Sequence, residues 1–150
     1  MRLTVYTDYA MRVLMYLGLT PGRLVTIQEI ADAFGISKNH LMKIVHDLQL
    51  AGYIDSVRGR SGGIRLGRSP DEIEVGDVIR HCEEDFHLVE CFAAETNQCK
   101  IYGSCALHGV LDEALSAYLA VLDRYSLADL LERKRGLMRA LDLTPRRQSR

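Results

Sequence analysis

No stretch of the 150 residues approaches the roughly 20 consecutive apolar positions that a membrane-spanning helix needs. The N-terminal segment MRLTVYTDYAMRVLMYLGLT has an early arginine and many apolar residues, but Asp8 and Arg12 interrupt it and no A-x-A-like cleavage site follows. It reads as a periodic helix, not as a secretion signal. No C-x-x-C pair occurs, and no acid, base and nucleophile can be grouped into a catalytic set, so the chain does not read as an enzyme. Internal repeats and low-complexity segments are lacking too. With no export signal, Cys82, Cys91, Cys99 and Cys105 are expected to be thiols or metal ligands of a cytoplasmic protein, not structural disulfides.

Neither sign of charge dominates: the net charge is −1. Its distribution is uneven. Residues 1–68 hold nine Lys and Arg against five Asp and Glu, and the remainder holds ten against fifteen. A basic front and an acidic back give mild support for a front that faces a polyanion.

Thr7 and Asp8 are expected to open a first helix with Met11, Leu14, Met15 and Leu17 on one face, closed by Gly18 and the TPG at 20–22. The segment VTIQEIADAFGISKNHLMKIVHDLQLAGYI then predicts two helices about a tight turn. Ile27, Ile30 and Ala31 mark the first, Gly35 the turn, and Ser37 the N-cap of the second. Leu41, Ile44, Val45 and Leu48 form the buried stripe of that second helix, and Gly52 ends it. YIDSVRGRSGGIRLGR reads as two short strands around a loop rich in glycine and arginine.

Helix, turn, capped helix and β-hairpin, in that order, is the winged helix-turn-helix arrangement. The residue types suit it. Ser37, Lys38, Asn39, His40 and Lys43 crowd the start of the second helix, off its apolar stripe. Asn can pair with adenine through two hydrogen bonds, and Lys serves guanine or phosphate. Arg58, Arg60, Ser61 and Arg65 put cations and small polar groups on the wing, where they would add salt-dependent affinity of little sequence preference. Any one of these residues taken alone reads as part of a solvated helix face sooner than as a base reader. The ordered set points to double-stranded DNA.

Beyond the acidic SPDEIEVGD, a short helix is expected at about 76–83, then the cysteine segment. Ser104 is placed to cap a long helix over about 105–125, and Ser126 with Asp129 to cap a last one over 127–140. The long helix carries Leu107, Leu111, Ala114, Leu115, Tyr118, Leu119 and Leu122, an apolar face too wide for one small domain to cover, which suggests a second copy. The expected class is therefore mainly α with a small β-hairpin wing. Residues 1–75 form the winged helix-turn-helix, 76–106 a cysteine-bearing segment and 107–143 the dimerisation helices, with 144–150 as a flexible polar tail.

Cys91, Cys99 and Cys105 follow a C-x7-C-x5-C spacing. Zinc sites usually present tight C-x2–4-C knuckles, which are missing, although His81, His87 or His108 leaves a Cys3His zinc site open. Iron–sulfur ligand spacings vary between families, so spacing says metal or redox site without saying which metal. Three packed thiols in a core are the bland alternative. Gly103 and the polar AETNQ loop count against it.

The segments MRLTVYTDYAMRVLMYL, IADAFGISKNHLMKIVHDL, VRGRSGGIRL and ECFAAETNQCKIYGSC together resemble the iron–sulfur winged-helix regulators, and among them the nitric-oxide-sensing repressors. The resemblance spans nearly the whole chain. It implies a homodimer on a palindromic operator, with the long helix pairing the subunits. It also implies an iron–sulfur cluster held by Cys91, Cys99 and Cys105, [4Fe–4S] in preference to [2Fe–2S]. The fourth ligand in this pattern is Asp8 of the partner subunit; read without the resemblance, Asp8 is a carboxylate that stabilises a helix N-terminus. Cys82 falls outside the pattern and reads as a packed thiol, though it is the rival fourth ligand. A repressor of the same fold that senses iron–sulfur status or redox state, or one stabilised by zinc, is the alternative.

Overall fold

Thr4, outside the expected start, caps the first helix: its Oγ1 accepts a hydrogen bond from the Thr7 backbone N–H at 3.3 Å, and α1 runs Val5–Leu19. In this computed structural model, which describes residues 2–143, α1 buries Thr7, Ala10, Val13, Leu14, Tyr16, Leu17 and Leu19. Met11 and Met15, expected on the buried face, lie half-buried on its flank. The buried stripe is broad because α1 is packed by several elements at once. Gly18, read as a helix stop, is inside α1 and has a packing role. A Cβ there would overlap the Leu131 side chain, which seats against the bare backbone.

The next two helices follow the sequence closely. Thr26 Oγ1 accepts from the Glu29 N–H at 3.1 Å and starts α2, Ile27–Phe34. Gly35 turns the chain in the left-handed region at φ 63°, a conformation that is costly for any residue with a Cβ. Helix α3 spans Lys38–Leu50 and buries Leu41, Ile44, Val45 and Leu48 as expected. Ser37 does occupy its N-cap position, but its side chain makes no capping hydrogen bond.

Strands β1, Ile54–Val57, and β2, Gly63–Leu66, pair antiparallel with Ile54 opposite Leu66 and Val57 opposite Gly63. The hairpin is anchored, not free. Val25 and Ile64 exchange backbone hydrogen bonds of 2.9 and 2.8 Å, which pins β2 to the residue just ahead of the α2 cap.

A 3-10 turn, Pro70–Glu72, leads into α4, Val75–Cys82, and short turns at Glu90–Phe92 and Tyr102–Ser104 punctuate the chain up to α5, Ala106–Leu122. Cys105, not Ser104, holds the N-cap position of α5; Ser104 belongs to the preceding 3-10 turn. Ser126 and Asp129 form the expected capping box, yet the expected last helix is two: α6, Leu127–Leu130, and α7, Lys134–Ala140. The break follows from docking: Leu127 is fully buried in the N-terminal core and Leu131 seats on Gly18, which holds this turn against α1. The expected tail, 144–150, lies outside the described residues.

No residue of α5 is fully buried. Among the described residues, no helix is long and apolar enough to cross a membrane.

Candidate DNA interface and cysteine segment

All nine residues expected to meet DNA are on the surface. Lys38, Asn39, His40 and Lys43 project from the first turns of α3, opposite its buried stripe, with Ser37 just before them. The His40 ring stands 6.5 Å from that of Tyr9, centroid to centroid. Arg58, Arg60 and Ser61 occupy the connection between the strands. Arg65 lies on β2 opposite Asp55, and their exposed ion pair, at 3.9 Å, contributes little to stability.

A cleft of about 320 Å3 separates the hairpin from the starts of α2 and α3, and it is lined by both Lys38 and Arg58. The fold therefore brings the two basic groups of the sequence, helix and wing, to one groove. Gln28 of α2 lines the same cleft and donates to Asp32 Oδ1 at 2.8 Å. Nothing in its local sequence singles it out.

The cysteine segment is held by contacts that skip between its turns. Glu90, beside Cys91, accepts the backbone N–H of Gln98, beside Cys99, at 2.7 Å. The Cys99 N–H donates to Asn97 Oδ1 at 3.0 Å. The His108 ring, in the first turn of α5, sits 5.1 Å from the rings of both Phe92 and Tyr102, centroid to centroid, and so joins the turns that carry Cys91 and precede Cys105. Cys91, Cys99 and Cys105 are each half-buried and free of disulfides.

Among the described residues, no three His, Cys, Asp or Glu side chains converge into a metal-ligating group. The contacts thus tie the stretches around Cys91, Cys99 and Cys105 to one another without assembling a ligand sphere among the described residues. Chemically the donor set fits an iron–sulfur cluster: three free thiols on cross-tied turns, one of them at a helix N-terminus that favours negative charge.

Asp8 is exposed in the first turn of α1. Its carboxylate is taken by the Arg12 guanidinium, Nε to Oδ1 at 3.1 Å and Nη2 to Oδ2 at 2.6 Å. Cys82 packs against the core from α4. Burial first, then the nearby carboxylates of Asp47 and Glu83, pushes its thiol up to about 12, so it resists becoming the thiolate that a metal needs.

Three long-range polar ties surround these sites, and the sequence reading found none of them. Tyr6 Oη donates to Asp47 Oδ2 at 2.9 Å, and His81 Nε2 meets the same oxygen at 3.0 Å, so α1, α3 and α4 share one carboxylate. Glu83 accepts hydrogen bonds from Thr4 and Thr7. Glu29 accepts from Tyr16 Oη at 2.8 Å and from both terminal nitrogens of Arg23 at 2.6 and 3.0 Å.

These ties set a pH dependence. The Arg23 hydrogen bonds, working against burial, hold the Glu29 carboxyl below the usual carboxylate range. Burial raises Glu83, but the hydrogen bonds from Thr7 and Thr4 outweigh it and leave that carboxyl lowered too. A carboxyl lowered in the folded state stabilises the fold in full above its ordinary value of 4.5, and the contribution is lost as pH falls through the folded value. The melting midpoint is therefore expected to drop between about pH 5 and about pH 3, and less steeply for Glu29→Gln than for the wild type. Parallel melting curves for the two proteins across that interval would refute the assignment.

A profile of the Rrf2 family, described as iron-dependent transcriptional regulators, matches residues 3–133. The HTH-type transcriptional regulator NsrR of Bacillus subtilis is 51% identical over 144 residues, covering 95% of this chain and 99% of that protein. The crystal structure of a transcriptional regulator from Listeria innocua superimposes with a TM-score of 0.75 at 27% identity, over 88% of this chain and 87% of that one. IscR of T. potens shares the fold, with a TM-score of 0.71 at 24% identity over 100% of this chain and 93% of that one. The mainly helical fold with a β-hairpin wing is thus the one these regulators share, and the match to residues 3–133 settles the kinship: the chain belongs to the Rrf2 family of transcriptional regulators.

Proposed function

We propose that this chain is a cytoplasmic homodimeric repressor that binds a palindromic DNA operator and senses nitric oxide through an iron–sulfur cluster. The observation that carries the reading is the cysteine segment: three free, half-buried thiols on turns tied to one another, placed between a winged helix-turn-helix and a long helix with an uncovered apolar face. Residues 1–75 read DNA, 76–106 hold the cluster and 107–143 pair the subunits. Cys91, Cys99 and Cys105 are the thiolate ligands, and Asp8 of the partner subunit is the fourth. A [4Fe–4S] core is favoured over [2Fe–2S].

When bound, the cluster supplies iron that reacts with nitric oxide. The rest is done by the chain. Arg12 already holds the Asp8 carboxylate, so ligation and the Arg12 fork compete for the same two oxygens. Asp8 stands on α1, which packs on α3, so gain or loss of its ligand role acts on the helix that reads DNA. A dimer reads two half-sites at a fixed separation, and a small displacement of α3 in each subunit costs much of the affinity.

The direct test is an anaerobic visible spectrum of the purified protein during stepwise addition of nitric oxide, with iron and sulfide analysis. Visible absorption that bleaches with nitric oxide is expected. A protein that stays colourless after anaerobic reconstitution with iron and sulfide overturns the reading and returns the cysteines to zinc or thiol chemistry.

The DNA half has its own test. Asn39→Ala is expected to cost about 1–3 kcal/mol for the preferred duplex and to relax base preference at one position. Arg60→Ala is expected to weaken all duplexes alike and to reduce the dependence of log K on log salt by about one unit. Binding isotherms at several salt concentrations separate the two effects. Equal losses across sequences for both variants would remove Asn39 from base reading.

A further inference from the structure

Glu83 follows the last residue of α4 and stands eight positions ahead of Cys91, at the entrance to the cysteine segment. Its carboxylate reaches 79 positions back along the chain to the start of α1. There a single oxygen, Oε1, accepts three hydrogen bonds: from the Thr4 backbone N–H at 2.8 Å, from Thr4 Oγ1 at 3.0 Å and from Thr7 Oγ1. Thr7 is fully buried, so if this acceptor leaves, its hydroxyl is left with Thr4 Oγ1, 3.1 Å away, in place of a charged acceptor. A carboxylate at this spot also stands at the positive end of a helix of 15 residues.

The next residue along α1 is Asp8, and α1 packs on α3. Two residues earlier, in the last turn of α4, His81 reaches Asp47 of α3 at 3.0 Å, so the α4 end is joined to the recognition helix by two routes, one through α1 and one direct. An ordinary helix cap needs only a side chain from the same helix, and α1 already has one in Thr4. A second acceptor brought from the entrance of the cysteine segment does something a local cap does not: it couples two parts of the chain.

We propose that Glu83 is a positioning residue that locks the first turn of α1, and Asp8 with it, to the cysteine segment, so that the state of that segment reaches the recognition helix. This rests on the cluster reading above. The coupling is mechanical. A shift of the cysteine segment pulls on Glu83, Glu83 pulls on Thr4 and Thr7, and α1 carries the shift to α3.

Glu83→Ala and Glu83→Gln test it with two readouts. The first is amide hydrogen exchange in residues 4–8 of the cluster-free protein, expected to be at least about tenfold faster in Glu83→Ala and intermediate in Glu83→Gln, which keeps an acceptor. The second is the ratio of affinities before and after nitric oxide, measured on a duplex selected from a random pool by the wild-type protein. Glu83→Ala is expected to keep its visible absorption while that ratio collapses to within about twofold of one, and Glu83→Gln to recover part of it. Faster exchange with an unchanged ratio makes Glu83 a structural cap and overturns the proposal, as does unchanged exchange. If Glu83→Ala does not fold, Thr7→Val removes one of the three hydrogen bonds and is expected to lower the ratio in the same direction; an unchanged ratio there is equally fatal. Failure of the cluster reading shows in the wild-type spectrum alone, whereas failure of this proposal shows only in the variants.

Discussion

Replacing Cys91, Cys99 or Cys105 singly with serine is expected to give a protein without visible absorption, whose DNA binding no longer responds to nitric oxide. Serine keeps the shape and loses the ligand, since an alkoxide is not available at neutral pH while a thiolate is. The fold is expected to survive. The three side chains are half-buried on turns outside the packed core, so each substitution should cost no more than about 1 kcal/mol in stability. Cys82→Ser is the informative contrast. That thiol packs against the core, so a hydroxyl in its place is expected to cost about 1–3 kcal/mol while the absorption remains. Visible spectra and melting curves of the four variants decide the matter. Colour lost in Cys82→Ser and kept in Cys105→Ser would reverse the ligand assignment.

Val110→Asp is expected to turn the protein into a monomer with an intact fold. Along α5 the exposed positions Leu107, Val110, Ala114, Ala117 and Val121 repeat at alternating intervals of three and four, the spacing of a coiled-coil seam. Val110 is 61% exposed and Leu107 60%, so a charge at 110 disturbs nothing inside one chain. Placed in a seam between two copies, the same charge would be desolvated without a partner, at a cost on the order of 3 kcal/mol, roughly a hundredfold in the dimer dissociation constant. Operator affinity should fall with it, because one lobe reads only one half-site. Sedimentation at graded concentrations reads the first effect. A wild-type protein that sediments as a monomer, or a variant that dimerises as well as wild type, would sink the idea that α5 pairs the subunits.

Periodicity alone places Leu107, Leu111, Ala114, Leu115, Tyr118, Leu119 and Leu122 on one face of the long helix. In the fold these residues divide. Leu111, Leu115, Tyr118, Leu119 and Leu122 are half-buried, while Leu107 and Ala114 join Val110, Ala117 and Val121 on the uncovered side. A helix half-covered along one strip and bare along another looks in sequence like a helix with one wide face, because periodicity counts apolar residues without saying what covers them.

What the sequence by itself determined is local. The Gly35 turn, the buried stripe of α3, the cations around its start and on the hairpin, and the Ser126–Asp129 box all depend on residues within four positions of one another or on their order. Backbone torsion, capping and helical period act at that range and leave a readable pattern. Tertiary structure alone decided the rest. It set the buried side of α1, the use of Gly18 as a seat for Leu131, and the break between α6 and α7. It also decided that Lys38 and Arg58 line one cleft, and that Glu83 reaches Thr4 and Asp47 joins Tyr6 to His81. The hydrogen bonds among them link residues 34 to 79 positions apart. A hydrogen bond across such a distance imposes no spacing on the chain, so it exists only once the helices have packed.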